Sequence, residues 1–124
     1  MNKKQTILLV EDDATLSDAF SIMLTKEGFN VHRAYNGKEA LQNLKKLSVD
    51  LILLDLLMPV MDGHEFLKEF ENNNQIPIIV FTNLDAKNDV DEILNLGATR
   101  YMLKAWASPK ELTKIILDTI SLKV

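Results

Sequence analysis

Apolar runs of strand length alternate along this chain with stretches whose apolar residues recur at helical spacing. Ile7 to Val10, Leu51 to Leu54 and Ile76 to Phe81 are apolar on both faces, a pattern that predicts central parallel strands covered by helices on each side. Val31 to Tyr35 and Arg100 to Lys104 are mixed in character, as edge strands are. Leu16, Phe20, Met23 and Leu24 predict a first helix that Gly28 is placed to end. The Asn36-Gly37 turn opens a second helix carrying Leu41 and Leu44, and Asp62-Gly63 precedes a third with Phe66, Leu67 and Phe70 facing inward. Val90, Ile93 and Leu94 mark one side of a fourth helix ending near Gly97. In the fifth, Ser108 and Glu111 form a capping-box signature, Pro109 suits the first turn, and Leu112, Ile115, Ile116 and Ile120 form the buried stripe. Five strand–helix repeats predict an α/β fold, a doubly wound (βα)5 three-layer sandwich built as a single domain over residues 1–124.

Four of the five predicted strands end in polar residues. Glu11-Asp12-Asp13 follow the first, Asp55 the third, Thr82-Asn83 the fourth and Lys104 closes the fifth, with Met58-Pro59 turning the chain just after Asp55. The carboxyl ends of neighbouring strands in an open α/β sheet line one crevice, so these side chains are expected to converge. Two carboxylates roughly 4 Å apart repel by about 4 kcal/mol at an effective dielectric near 20, so a cluster of them calls for a cation. Oxygen donors without Cys, and without His beside the acidic pair, point to Mg²⁺, with Mn²⁺ or Ca²⁺ as alternatives, rather than to zinc. Such an ion bridges phosphoryl oxygens and offsets developing charge, and Lys104 adds a movable positive charge.

Composition narrows the setting. A chain of 124 residues is long enough to bury roughly two thirds of its unfolded surface. A net charge of −4 gives no reason to expect direct nucleic-acid binding, which needs a basic patch. Zero Cys fits a reducing compartment, and the N-terminal residues lack the long apolar stretch of a signal peptide or membrane helix. A cytoplasmic location without membrane association is expected.

Glu11-Asp12, Asp55 followed by Met58-Pro59 and Asp62-Gly63, Thr82 closing one strand and Lys104 closing another resemble the receiver domain of two-component response regulators, from Ile7 to about Ile120. The resemblance implies flavodoxin-like strand order 2-1-3-4-5. It implies a phosphoacceptor switch in which Asp55 takes a phosphoryl group from a phosphohistidine on a sensor histidine kinase or phosphotransfer protein. Glu11, Asp12, Asp55 and the backbone carbonyl of Leu57 are then the metal ligands, with Asp13 either a further acid or the cap of the first helix. Thr82 is to bind a phosphoryl oxygen, Lys104 to pair with Asp55 and then with the phosphate, and Tyr101 to serve as the switch aromatic. The change is read at the surface around the fourth helix and fifth strand by an unidentified downstream protein. The chain is thus not an enzyme acting on a separate substrate; it catalyses only its own aspartyl phosphorylation and dephosphorylation. A monomer or weak homodimer is expected, and Thr99-Arg100 stands where the DNA-binding subfamily carries an acidic pair, so that subfamily's dimer salt bridges are not carried over. The residues end shortly after the fifth helix, leaving no room within them for an output domain; a stand-alone shuttle and a part of a longer protein both stay open.

The family pattern breaks in two places. Ala105 replaces the usual Pro after the Lys, and a cis bond before a non-proline residue costs about 2.5–4 kcal/mol, so a trans Lys104-Ala105 bond is expected, with Trp106 pinning the loop. Asn83 replaces a small residue beside Thr82; with apolar Leu57 and Leu84 it leaves attacking water poorly oriented, which predicts a long-lived phosphoryl group. Two rival readings fare worse. A haloacid-dehalogenase-type phosphatase needs an acid two residues after its nucleophile, where this chain has Leu57, and a flavin-phosphate loop is incompatible with three consecutive acids after the first strand. A receiver-like domain without phosphate chemistry is disfavoured by the complete acid, Thr and Lys set, while Ala105 keeps that reading open.

Overall fold

Strand β1 (Thr6–Val10) lies between β2 (Asn30–Ala34) and β3 (Leu51–Leu54), followed outward by β4 (Ile78–Thr82) and β5 (Arg100–Leu103), all parallel in the order β2-β1-β3-β4-β5. Helices α1 (Ala14–Lys26), α2 (Gly37–Lys46), α3 (Gly63–Glu69), α4 (Lys87–Asn95) and α5 (Pro109–Ser121) make the crossovers. The structure is a computed structural model describing residues 4–82, 87–104 and 108–121, with residues 87–89 described in backbone only. Asn83, Leu84, Ala105 and Trp106, including the Lys104-Ala105 bond, lie outside the described residues.

The apolar runs bury both faces because alternate residues feed two cores. Leu8, Val10, Ile52, Leu54, Ile78 and Val80 meet Ala40, Phe66 and Ile93 of α2, α3 and α4 on one side. Ile7, Leu9, Leu51, Leu53, Ile79 and Phe81 meet Leu24 of α1 and Leu112 and Ile116 of α5 on the other. Register then aligns the strand ends: Val10 is level with both Ala34 and Leu54, and Leu54 with Val80. The ladder continues one residue further, with Glu11 N–H donating to Ala34 O at 3.0 Å and Asp55 N–H to Val10 O at 3.0 Å. Both acids are thereby delivered to the same edge of the sheet.

Some boundaries move for identifiable reasons. The fourth strand starts at Ile78 rather than Ile76 because Asn72 occupies both backbone groups of Ile76, accepting from its N–H and donating to its carbonyl at 2.8 Å each, and Pro77 has no N–H. The second strand runs Asn30–Ala34 because Tyr35 N–H turns to Glu39 Oε1 at 3.1 Å. In α4, Ile93 is buried, and Leu96 just after the helix packs against the same core, whereas Leu94 is 41% exposed and does not join the inward side. Ser108 Oγ accepts from Glu111 N–H at 3.2 Å, as the α5 signature predicts. A full reciprocal capping box forms at α3, where Asp62 and Glu65 satisfy each other's backbone N–H groups. Among the described residues no helix is long and apolar enough to cross a membrane.

Candidate functional site

The strand ends bring Glu11, Asp12 and Asp55 together, with one carboxylate oxygen of each within 4.8 Å of the others. Glu11 and Asp55 are buried and Asp12 is exposed, so the cluster opens to solvent on the Asp12 side. With Asp13, Leu16, Leu57, Thr82 and Lys104 they line a cleft of about 210 Å³. Thr82 is buried at the end of β4, level with Leu103.

Lys104, directly after β5, reaches across this cleft. Its ammonium pairs with Glu11 Oε1 and lies 3.3 Å from Asp55 Oδ2. It also stands 5.1 Å from the centroid of the Phe81 ring, whose quadrupole favours a cation there. Phe81 is fixed in turn by an edge contact with Phe20 of α1, centroids 5.1 Å apart. The contact with Asp55 is the one the sequence predicts; the additional pairing with Glu11 has no sequence signal, because it depends on which carboxylate the register places deepest.

Three carboxylates facing one ammonium leave a surplus of negative charge, and the ionisation equilibria reflect it. Burial raises the Glu11 pKa above 4.5, against the lowering effect of Lys104, and nearby Asp55 raises it further. Burial and then Glu11 raise Asp12 above 3.8. Lys104 is raised above 10.5: its burial opposes the charge, and the Glu11 and Asp55 carboxylates outweigh that. Hard oxygen donors carrying surplus negative charge suit a hard divalent cation, and the cluster includes neither His nor Cys.

Asp13 resolves as a cap. Its Oδ1 accepts from Leu16 N–H at 3.1 Å, while its own N–H donates to Glu11 Oε2 at 3.2 Å, orienting the buried acid. Leu57 borders the cleft with 58% of its surface exposed. Tyr101 packs against the core on the α4 side, level with Val80.

The Asp62-Gly63 pair acts through packing. Gly63 N–H donates to Leu56 O at 2.9 Å, and a Cβ on Gly63 would lie 2.6 Å from Asp55 O. Only glycine lets α3 start this close to the backbone of the candidate phosphoacceptor. The same holds at Gly37, where a Cβ would lie 2.9 Å from Met61 O.

Residues 7–117 match the family described as response regulator receiver domain. A probable transcriptional regulator, ycf27, of Cyanidium caldarium is 39% identical over 112 residues, 90% of this chain and 45% of that protein. The sensory transduction protein RegX3 of Mycolicibacterium smegmatis is 32% identical, over 89% of this chain and 48% of that one. The chain spans about half the length of the curated relatives it matches. Among solved structures, a CheY-like response regulator receiver domain protein from Methanospirillum hungatei JF-1 superposes with TM-score 0.90 at 26% identity, covering 98% of this chain and 97% of that one. The receiver domain of a sensor histidine kinase from Pseudomonas aeruginosa PAO1, solved with a magnesium ion coordinated in its active site cleft, gives TM-score 0.85 at 30% identity over 96% and 99%. With the sheet order, the acidic cleft and these matches in agreement, the chain belongs to the response regulator receiver domain family.

Proposed function

We propose that Asp55 is the phosphoacceptor of a two-component signalling switch. A carboxylate oxygen of Asp55 forms the new bond to phosphorus while the P–N bond of a phosphohistidine breaks and the imidazole leaves, on a sensor histidine kinase or phosphotransfer protein. Glu11, Asp12, Asp55 and the Leu57 carbonyl are the residues that hold Mg²⁺ in this reading, with Mn²⁺ as a substitute. Bound there, the ion offsets charge on the transferring PO₃ unit. Lys104, already 3.3 Å from Asp55, exchanges that contact for one with the phosphate. Thr82, buried at the strand end beside them, donates its hydroxyl to a phosphoryl oxygen, and Tyr101 serves as the switch aromatic.

The observation that carries this reading is the position of one ammonium between two buried carboxylates at the rim of the acidic cleft. The protein catalyses only changes at its own Asp55. An exposed apolar Leu57 at the mouth supports slow hydrolysis, so the acyl phosphate outlasts seconds. The phosphorylated form acts through the surface of α4 and β5. If these residues belong to a longer protein like the curated relatives, a transcriptional output is the response they control. Incubation with Mg²⁺ and a small phosphodonor, followed by intact-mass measurement, tests the proposal: wild type gains one phosphoryl group and Asp55→Asn none.

A further inference from the structure

Val60 has a positive φ of 68°, and its side chain is 74% exposed. A β-branched residue is a conformational outlier there, and a side chain so open to solvent gains nothing from packing that would offset the strain. Met61 N–H donates to Pro59 O at 2.7 Å, closing a three-residue turn around Val60 of the strained kind. Gln75, the other described non-glycine residue at positive φ, is unbranched and follows an ordinary turn closed by its N–H on Asn72 O at 3.1 Å. Such strain persists only where the surroundings over-determine the backbone.

The surroundings are two anchors. On the Asp55 side, Gly63 N–H holds Leu56 O at 2.9 Å; on the far side, Gly37 N–H holds Met61 O at 2.8 Å. Met58 and Met61 pack into the α2–α3 core, and Pro59 fixes one more dihedral. At Gly37 a Cβ would stand 2.8 Å from Met61 Cγ as well as close to its carbonyl, so the second anchor also requires glycine. The span from Leu57 to Val60 is therefore held taut between two fixed points, and Leu57 borders the acidic cleft.

We infer that Val60 and Gly37 are positioning residues for the metal: the strained turn, tied to the start of α2, fixes the backbone that presents the Leu57 carbonyl. The inference rests on the reading of the cleft as a divalent-cation site. Neither residue is itself a ligand, and Gly37 belongs to a different crossover.

Calorimetric titration of the 124-residue chain with Mg²⁺, paired with thermal unfolding without metal, tests it. Val60→Gly relaxes the turn, so its metal-free melting temperature stays at or above the wild-type value while Mg²⁺ affinity falls about tenfold or more, as for other residues that orient metal ligands. Val60→Ile, which keeps the branched stiffness, retains wild-type affinity. Gly37→Ala pushes Met61 away and lowers affinity by a similar factor. Wild-type affinity in Val60→Gly together with a raised melting temperature overturns the inference and leaves a strained residue without a role; should Gly37→Ala fail to fold, the Val60 pair decides. A wild-type chain that takes up no Mg²⁺ overturns the cation site itself, and this inference with it.

Discussion

Lys104 and Glu11 form an ion pair almost without solvent, their side chains 9% and 1% exposed. Removing one member of a buried pair leaves the other uncompensated, at a cost of about 3–5 kcal/mol. Lys104→Met is accordingly expected to lower metal-free stability by an amount of that order in urea denaturation at neutral pH. It also removes the cation that competes with a metal for the same carboxylates, so Mg²⁺ affinity rises and added Mg²⁺ restores part of the lost stability. Unchanged affinity in this variant would show that Lys104 does not share the metal's electrostatic field.

The raised Glu11 and Asp12 equilibria give a pH signature. A carboxyl whose folded pKa exceeds its unfolded value contributes stability that is fully present below the unfolded value and is lost as pH rises through the folded one. Metal-free protein thus loses this contribution on going from acid towards neutral pH. Mg²⁺ binds the ionised form, so the rise in melting temperature on adding Mg²⁺ is larger at pH 7.5 than at pH 5. Lys104 behaves in the same sense at the alkaline end: its contribution is complete below 10.5 and is lost as pH rises through its higher folded value. Scanning calorimetry across pH with and without metal checks both limbs.

Asp13 and the acids beside it separate by role. Asp13→Ala removes the side-chain acceptor for Leu16 N–H and is expected to cost about 1 kcal/mol of stability. Because Asp13 also presents its backbone N–H to Glu11, which any residue does equally, Mg²⁺ affinity stays close to wild type. Asp12→Ala shows the opposite split in the same two assays.

Gly63→Ala places a Cβ against the backbone oxygen of Asp55, where no flexible side chain is available to yield. Overpacking of this kind costs about 1–3 kcal/mol. Chemical denaturation should register that loss, and Mg²⁺ affinity should fall with it, since α3 and the Asp55 backbone must move apart.

Much of this architecture was legible in the residue pattern because parallel central strands carry an unambiguous signature. Leu51 to Leu54 can be apolar throughout only if both faces are covered, and the two cores divide those residues alternately. The convergence of Glu11, Asp12, Asp55, Thr82 and Lys104 followed from their common position at strand ends. What the pattern did not carry was local hydrogen bonding. Asn72 claims both backbone groups of Ile76 and so delays β4, and Leu94 is exposed while Ile93 of α4 and Leu96 just after the helix pack into the core. Asp13 carried two readings in sequence, and only the geometry of Leu16 N–H chooses between them.

In the proposed reaction Asp55 accepts a phosphoryl group because a divalent cation held by the acidic cluster, together with the Lys104 ammonium, offsets the incoming charge. Intact-mass measurement of wild type, Asp55→Asn and Asp12→Asn after exposure to a small phosphodonor, with Mg²⁺ and with chelator, tests it most directly. A single phosphoryl adduct that forms on wild type only with Mg²⁺, is absent from Asp55→Asn and is strongly reduced in Asp12→Asn is the predicted result. An adduct of equal yield on Asp55→Asn, or one that forms as well in chelator, would contradict it.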